Sequence, residues 1–227
     1  GQFIGVFTSK ESTLLPRPIS ICEVNEDKTA LRLVYRVVGK GTSEFSHYKA
    51  GRRIWVLGVL GNGYPLEEAN DKHALLLGGG IGIPPLVELA KQLRNREPLA
   101  KITVSVGYRS NDLFLTEELS QYADVLIATE DGSVGTKGNV MDAVRENKIT
   151  PDIIYSCGPM PMLKAIKTYA EGMDIPAYIS LEERMACGVG ACLGCVCKTT
   201  HKDHHSHVNN ARICTDGPVF EAKEVEI

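Results

Sequence analysis

Apolar positions follow two rhythms along the chain. Leu31, Leu33, Tyr35 and Val37 alternate with Arg32, Val34, Arg36 and Val38, which predicts a strand with one apolar face. Residues 53–57, Arg-Ile-Trp-Val-Leu, predict another strand, and 58–63, Gly-Val-Leu-Gly-Asn-Gly, read as a turn. Short strands with turns between them predict an antiparallel barrel or sandwich over residues 1–68. From Lys72 the texture changes. Residues 73–77, His-Ala-Leu-Leu-Leu, form the unbroken apolar run expected of a strand covered on both faces. Leu86, Leu89, Ala90 and Leu93 then recur at helical spacing, with Pro85 suited to the first helical position. Further strands are predicted at 102–106, 125–129 and 153–156, and a helix over 160–169 with Met162, Leu163, Ile166 and Tyr169 on its apolar face. Alternating strands and helices predict a parallel sheet over 69–182, followed by a compact tail over 183–227. The expected fold is therefore multidomain: α/β plus β.

Composition narrows the function. The net charge is −3, and no run of five basic residues occurs, so nucleic-acid binding and polybasic membrane docking have no support. The most apolar stretch, 74–90, is interrupted by glycines, prolines and Glu88 and is too short to span a bilayer. No signal-peptide pattern opens the chain, and its 7 cysteines point to a reducing, cytoplasmic setting. The chain opens on Gly1 rather than Met, and a missing native N-terminus is expected.

The cysteines carry the strongest chemical signal. Cys187, Cys192 and Cys195 are followed by Cys214, the C-x4-C-x2-C…C spacing with which thiolates hold a plant-type [2Fe–2S] cluster. Gly188, Gly190 and Gly194 are expected to supply the unusual φ angles needed for a tight wrap. A zinc site prefers paired C-x2-C knuckles, and a Rieske centre needs two histidines, so both fit less well. Cys22, Cys157 and Cys197 lie outside the pattern and read as small buried residues.

Two further motifs suggest cofactors. Residues 78–82, Gly-Gly-Gly-Ile-Gly, stand between a buried strand and a helix, where a phosphate can approach bare backbone and the helix's first amides. They depart from the G-x-G-x-x-G fingerprint, because Ile83 stands where its last glycine would fall, and a plain tight turn is the alternative. Arg17-Pro18-Ile19-Ser20 combines a guanidinium, a rigid proline and a hydroxyl, a clamp for a pyrophosphate or a flavin, or else a surface loop. The sequence leaves NADH and NADPH open, since no acidic residue clearly ends the second strand of the parallel sheet.

These motifs, in this order, resemble the electron-transfer subunits of two-subunit, NAD-dependent (class 1B) dihydroorotate dehydrogenase, within the ferredoxin–NADP reductase superfamily. The resemblance runs from Gly1 to the C-terminus and is most specific over 181–195 and 213–220, with support from 78–85 and 156–160. It implies three domains: a flavin-binding β-barrel over 1–68 whose N-terminal strands are missing, a nucleotide-binding domain over 69–182, and a [2Fe–2S] module over 183–227. It implies FAD held by Arg17, Pro18, Ile19 and Ser20, with Val34, Tyr35, Arg36, Gly41 and Thr42 lining the rest. It places NAD(H) against Gly78, Gly79, Gly80 and Gly82 and the Cys157-Gly158-Pro159 turn, with Cys157 a possible nicotinamide contact. The implied partner is an FMN-containing catalytic subunit that oxidises dihydroorotate in pyrimidine biosynthesis, in a heterotetramer. Electrons would then pass from its FMN through the cluster and FAD to NAD⁺. Two other classes stay open: the flavin subunit of a sulfide dehydrogenase or of an NADH-dependent ferredoxin:NADP oxidoreductase, and a cluster-bearing docking module without catalysis. The former often carry Asp in place of one cluster cysteine, unlike this chain. The interval between Cys195 and Cys214 holds His201, His204, His205 and His207, expected to form a solvated loop.

Overall fold

The computed structural model describes residues 1–9, 13–202 and 207–227. Strands β1 (Phe3–Val6), β2 (Arg17–Val24), β3 (Leu31–Leu33) and β4 (Val56–Leu60) form an antiparallel sheet in the order β3-β2-β1-β4. Ile4, Val6, Ile19 and Ile21 pack on Phe45 of a short helix, α1 (Lys40–Phe45). Two expectations change here. The strand predicted through Val38 leaves the ladder after Leu33, although its alternation is real. Val34 packs against the core formed mainly by residues 64–155 while Tyr35 turns to Phe45, so the two faces meet two cores instead of a core and solvent. The strand predicted at 53–57 lies instead at Val56–Leu60, where a bulge against β1 takes up Gly58 and Val59 and lets pairing resume at Leu60. The turn is left to Gly61 onwards, and Trp55 is 83% exposed.

The second sheet is built from β5 (Ala74–Gly79), β6 (Ile102–Tyr108), β7 (Asp124–Thr129), β8 (Thr136–Lys137), β9 (Ile153–Cys157) and β10 (Ala177–Ser180), all parallel. Helices α2 (Pro84–Arg96), α3 (Thr116–Ser120), α4 (Val140–Glu146) and α5 (Met160–Met173) cover it. Every residue of β5 is buried. Leu76 faces Leu86, Ala90 and Leu93 of α2, whereas Leu75 and Leu77 face Val144 of α4 and Leu163 and Ile166 of α5. Pro84 and Pro85 open α2 where no intrahelical N–H bond is needed.

The tail begins with a two-stranded ribbon, β11 (Val196–Lys198) and β12 (Asn210–Arg212), and ends with β13 (Val219–Glu221). β13 pairs antiparallel with β10, so the seven-stranded order is β13-β10-β9-β5-β6-β7-β8 and the tail shares the sheet of the preceding segment. The antiparallel sheet is fastened to both neighbours. Lys91 Nζ of α2 donates to the Val24 carbonyl at 2.6 Å, and Glu88 accepts the Val24 amide at 2.9 Å. Asn62, just past β4, donates its side-chain amide to the carbonyls of Thr215 and Asp216 at 3.0 and 3.1 Å.

Candidate functional site

The four cysteines of the spacing motif fall in two neighbouring pairs, Cys187 with Cys192 and Cys195 with Cys214. Two such pairs suit two irons with two thiolates each. Backbone amides surround them. Val189 and Cys192 donate to Cys187 Sγ, both at 3.4 Å, Gly190 to Cys214 Sγ at 3.2 Å, and Gly194 to Cys192 Sγ at 3.4 Å. Amides aimed at sulfur favour the thiolate that iron requires, and those from Val189 and Cys192 pull the Cys187 thiol down to about 6. Burial instead pushes Cys214 up to about 11. Cys195 and Cys214 are buried, Cys187 is half-buried and Cys192 is exposed, so the first pair faces outward. Gly188 and Gly190 take φ of 71° and 77° as expected, but Gly194 does not. Leu193 makes the left-handed turn there, at φ 55°, and the next amide meets Cys192.

The loop is braced from behind. The Asp216 carboxylate accepts two bonds from the Arg212 guanidinium, at 3.0 and 2.9 Å, and the Arg212 amide at 2.7 Å. The guanidinium holds Asp216 below its usual range. Ile213 donates its amide to the Cys195 carbonyl at 2.9 Å, which ties the third ligand to the strand before the fourth. Among the histidines, His201 and His207 are exposed, while His204 and His205 lie outside the described residues.

The glycine-rich turn follows β5, and residues 157–159 follow its neighbour β9. From β5 the chain turns to β6 on one side and later returns to β9 on the other, so this is the topological switch point where open α/β sheets bind ligands. The two turns touch. A Cβ on Gly82 would lie 2.2 Å from the Cys157 carbonyl oxygen, and one on Gly79 2.9 Å from Met162 Sδ. Gly80 has φ +54°, and a Cβ there would sit 3.3 Å from Arg36 Nη2, which brings a residue assigned to the flavin to the nucleotide loop. Burial pushes the Cys157 thiol up to about 11, which keeps it neutral. It stands level with Ser180 across β9 and β10, and the Tyr64 hydroxyl donates to the neighbouring Ser156 carbonyl at 2.8 Å.

The remaining flavin candidates cluster around α1. A Cβ on Gly41 would fall 2.2 Å from Arg17 Nε, so the guanidinium lies closely over that turn. Arg17 also donates to the Leu15 carbonyl. Thr42 Oγ1 accepts the amides of Val38 and Gly39 at 3.0 and 3.1 Å, which shapes the turn. Ile19 is buried beneath the sheet and can offer a ligand only backbone, whereas Pro18 and Ser20 share the face that at Cys22 packs on the core formed mainly by residues 64–155.

Known proteins match this architecture. A family model described as the iron-sulfur cluster binding domain of dihydroorotate dehydrogenase B matches residues 182–226, and an oxidoreductase NAD-binding domain matches 76–168. The dihydroorotate dehydrogenase B (NAD(+)) electron transfer subunit of Geobacillus sp. (strain WCH70) is 44% identical over 228 residues, 99% of this chain and 86% of its own length. Its counterpart in Fusobacterium nucleatum is 45% identical over 234 residues, covering 100% of this chain and 86% of that protein. This chain belongs to the family of dihydroorotate dehydrogenase B electron transfer subunits. A solved NADH-dependent reduced ferredoxin-NADP oxidoreductase superposes with a TM-score of 0.83 at 30% identity, over 100% of this chain and 79% of that one. An Amycolatopsis cytochrome P450 reductase shares the fold, with a TM-score of 0.62 at 23% identity, over 75% of this chain and 56% of that one.

In a dihydroorotate dehydrogenase B electron transfer subunit, contacts between the segments matter as much as the ligands. Sequence reasoning missed Asn62 and Tyr64 because each acts through a bond to a residue about 90 or more positions away. No local pattern encodes such partners.

Proposed function

We propose that this chain conducts electrons between NAD(H) and the FMN-containing, dihydroorotate-oxidising subunit of a heterotetrameric cytoplasmic enzyme. The observation that carries the reading is the amide-lined pair of cysteine pairs, joined through β13 to the sheet that carries a nucleotide site at its switch point, and through Asn62 to the antiparallel sheet. When bound, FAD and [2Fe–2S] supply the conversion between two-electron hydride chemistry and one-electron transfer. Cys187 and Cys192 would hold one iron, and Cys195 and Cys214 the other. Arg17, Pro18, Ile19, Ser20, Val34, Tyr35, Arg36, Gly41 and Thr42 would hold FAD, with the Arg17 guanidinium as its anchor for phosphate. Gly78, Gly79, Gly80 and Gly82 would let the dinucleotide pyrophosphate approach the backbone, and the neutral Cys157 thiol would meet the nicotinamide without adding charge. The exposed side of the cluster loop, around Cys192, supports transfer to another subunit.

The test is reconstitution. Anaerobic NADH should bleach the flavin band of the purified protein and raise a paramagnetic signal from the reduced cluster. A flavin that bleaches while the cluster stays oxidised would contradict the proposed path.

A further inference from the structure

An electron that enters a [2Fe–2S] cluster adds a negative charge to a site already carrying four thiolates. Hydrogen bonds to the sulfurs and nearby charge therefore set the potential at which it enters. Val189, Gly190, Cys192 and Gly194 supply the amides. The charge comes from the turn that bears Cys214.

Arg212 is the last residue of β12, and its carbonyl accepts the amides of Thr215, Asp216 and Gly217 at 3.2, 2.7 and 3.2 Å, which closes the turn around Cys214. Asn62 holds the Thr215 and Asp216 carbonyls from beside β4, so the turn is fixed on a second side. The Arg212 guanidinium is gripped side-on. Asp216 accepts from Nε at 3.0 Å and from Nη2 at 2.9 Å. The third nitrogen, Nη1, lies over the cysteine loop, where a Cβ on Gly190 would sit 3.3 Å from it. Gly190, at φ +77°, is the residue whose amide donates to Cys214 Sγ at 3.2 Å.

The ion pair thus turns its positive edge to the loop and its carboxylate to the opposite edge. Only a planar fork can serve both places, since the single nitrogen of a lysine would stay with the carboxylate. The two side chains are 43% and 37% exposed, so water and salt screen the pair in part.

We propose that Arg212, positioned by Asp216, sets the reduction potential of the cluster, its charge over Gly190 favouring the electron-loaded state. This rests on the reading that Cys187, Cys192, Cys195 and Cys214 hold a [2Fe–2S] cluster.

Reductive titration of the FAD- and cluster-loaded protein with dithionite, followed by the paramagnetic signal of the reduced cluster, tests it. Wild type, Arg212→Gln, Arg212→Lys and a control, Lys223→Gln, are compared after their iron and sulfide have been measured. The control also removes the cation of an ion pair, that with Glu221. Arg212→Gln should make the one-electron reduction about tenfold less favourable, which is about 59 mV, and the gap should shrink in high salt. Arg212→Lys should fall between wild type and Arg212→Gln, and the control should match wild type. A wild-type potential in Arg212→Gln would overturn the assignment, as would a shift of equal size in the control. A lysine variant as low as the glutamine variant would make the fork, and not the charge, responsible, and would overturn it too. Should Arg212→Gln hold no iron, Arg212→Lys decides: a lowered potential supports the assignment and an unchanged one overturns it. Iron lost from both variants would make Arg212 a brace of the loop alone, which also overturns it. Wild type that holds no cluster would overturn the cysteine reading itself.

Discussion

At the scale of single residues, the chemistry lies in a few polar atoms held by backbone. Arg17 is the sharpest case for the flavin, because its guanidinium lies directly over the glycine at 41. Arg17→Ala should weaken FAD by roughly 1.5–3 kcal/mol, which is about ten- to a hundredfold in dissociation constant, read from the fluorescence of released flavin. Unchanged flavin affinity would remove Arg17 from the site. The four candidate cysteines stand out in the sequence because a [2Fe–2S] cluster needs four thiolates at short and specific spacings. The left-handed turn at Leu193 was not legible, since a glycine stood next to it and conformational freedom is read from residue type. Arg212 was invisible for a different reason. Its place over Gly190 is set by the folding of the turn around Cys214, which the order of residues does not record.

At the scale of elements, four of the six parallel strands were read to within two residues at each end from their apolar runs, whereas the two-residue β8 and four-residue β10 were too short to show a pattern. The antiparallel part was read less well. Val34 and Tyr35 alternate as a strand would but serve two cores, and the six residues of α1 are too few to show a helical period. What binds these elements is polar and long-range. Lys91 of α2, only 12% exposed at its side chain, holds the Val24 carbonyl while its neighbour Glu88 holds the Val24 amide. Lys91→Met keeps the stem and deletes the donor, and should cost about 1–3 kcal/mol in chemical denaturation. The same helix starts at the glycine turn, where Gly82→Ala would drive a methyl group into the Cys157 carbonyl. That substitution should lower stability by about 1–3 kcal/mol and weaken NAD⁺ in calorimetric titration, whereas normal binding and melting would show that the two turns can part freely.

For the whole molecule, the segments are joined by polar bonds at Val24 and Asn62, by the pairing of β13 with β10 and by shared apolar packing. A polar cluster inside the parallel-sheet segment makes the protein sensitive to acid. Buried His73, at the start of β5, meets the Thr150 carbonyl with Nδ1 at 3.1 Å, so Nδ1 carries the proton and Nε2 accepts from Thr103 Oγ1 at 2.8 Å. Burial, with Lys101 nearby, holds its pKa below 6.5. The unfolded chain therefore binds the proton more readily, and stability should fall as pH drops below about 6.5, levelling out beneath the folded-state value. Melting temperatures should show that loss in wild type and a flatter profile in His73→Gln. An identical slope in both would place the acid sensitivity elsewhere.

The central claim is that electrons cross this chain through the cysteine-held cluster, and Cys195→Ser tests it most directly. Cys195 is 2% exposed and its hydroxyl replacement is a hard, rarely deprotonated donor that an iron–sulfur cluster tolerates poorly. The measurement is dihydroorotate-dependent reduction of NAD⁺ by the variant assembled with the catalytic subunit, beside NADH-dependent reduction of an artificial dye by the same preparation. The variant should lose its cluster absorbance and the coupled reaction yet keep dye reduction, since the flavin and nucleotide residues are intact. A cluster-free protein that still couples dihydroorotate oxidation to NAD⁺ reduction at the wild-type rate would contradict the account.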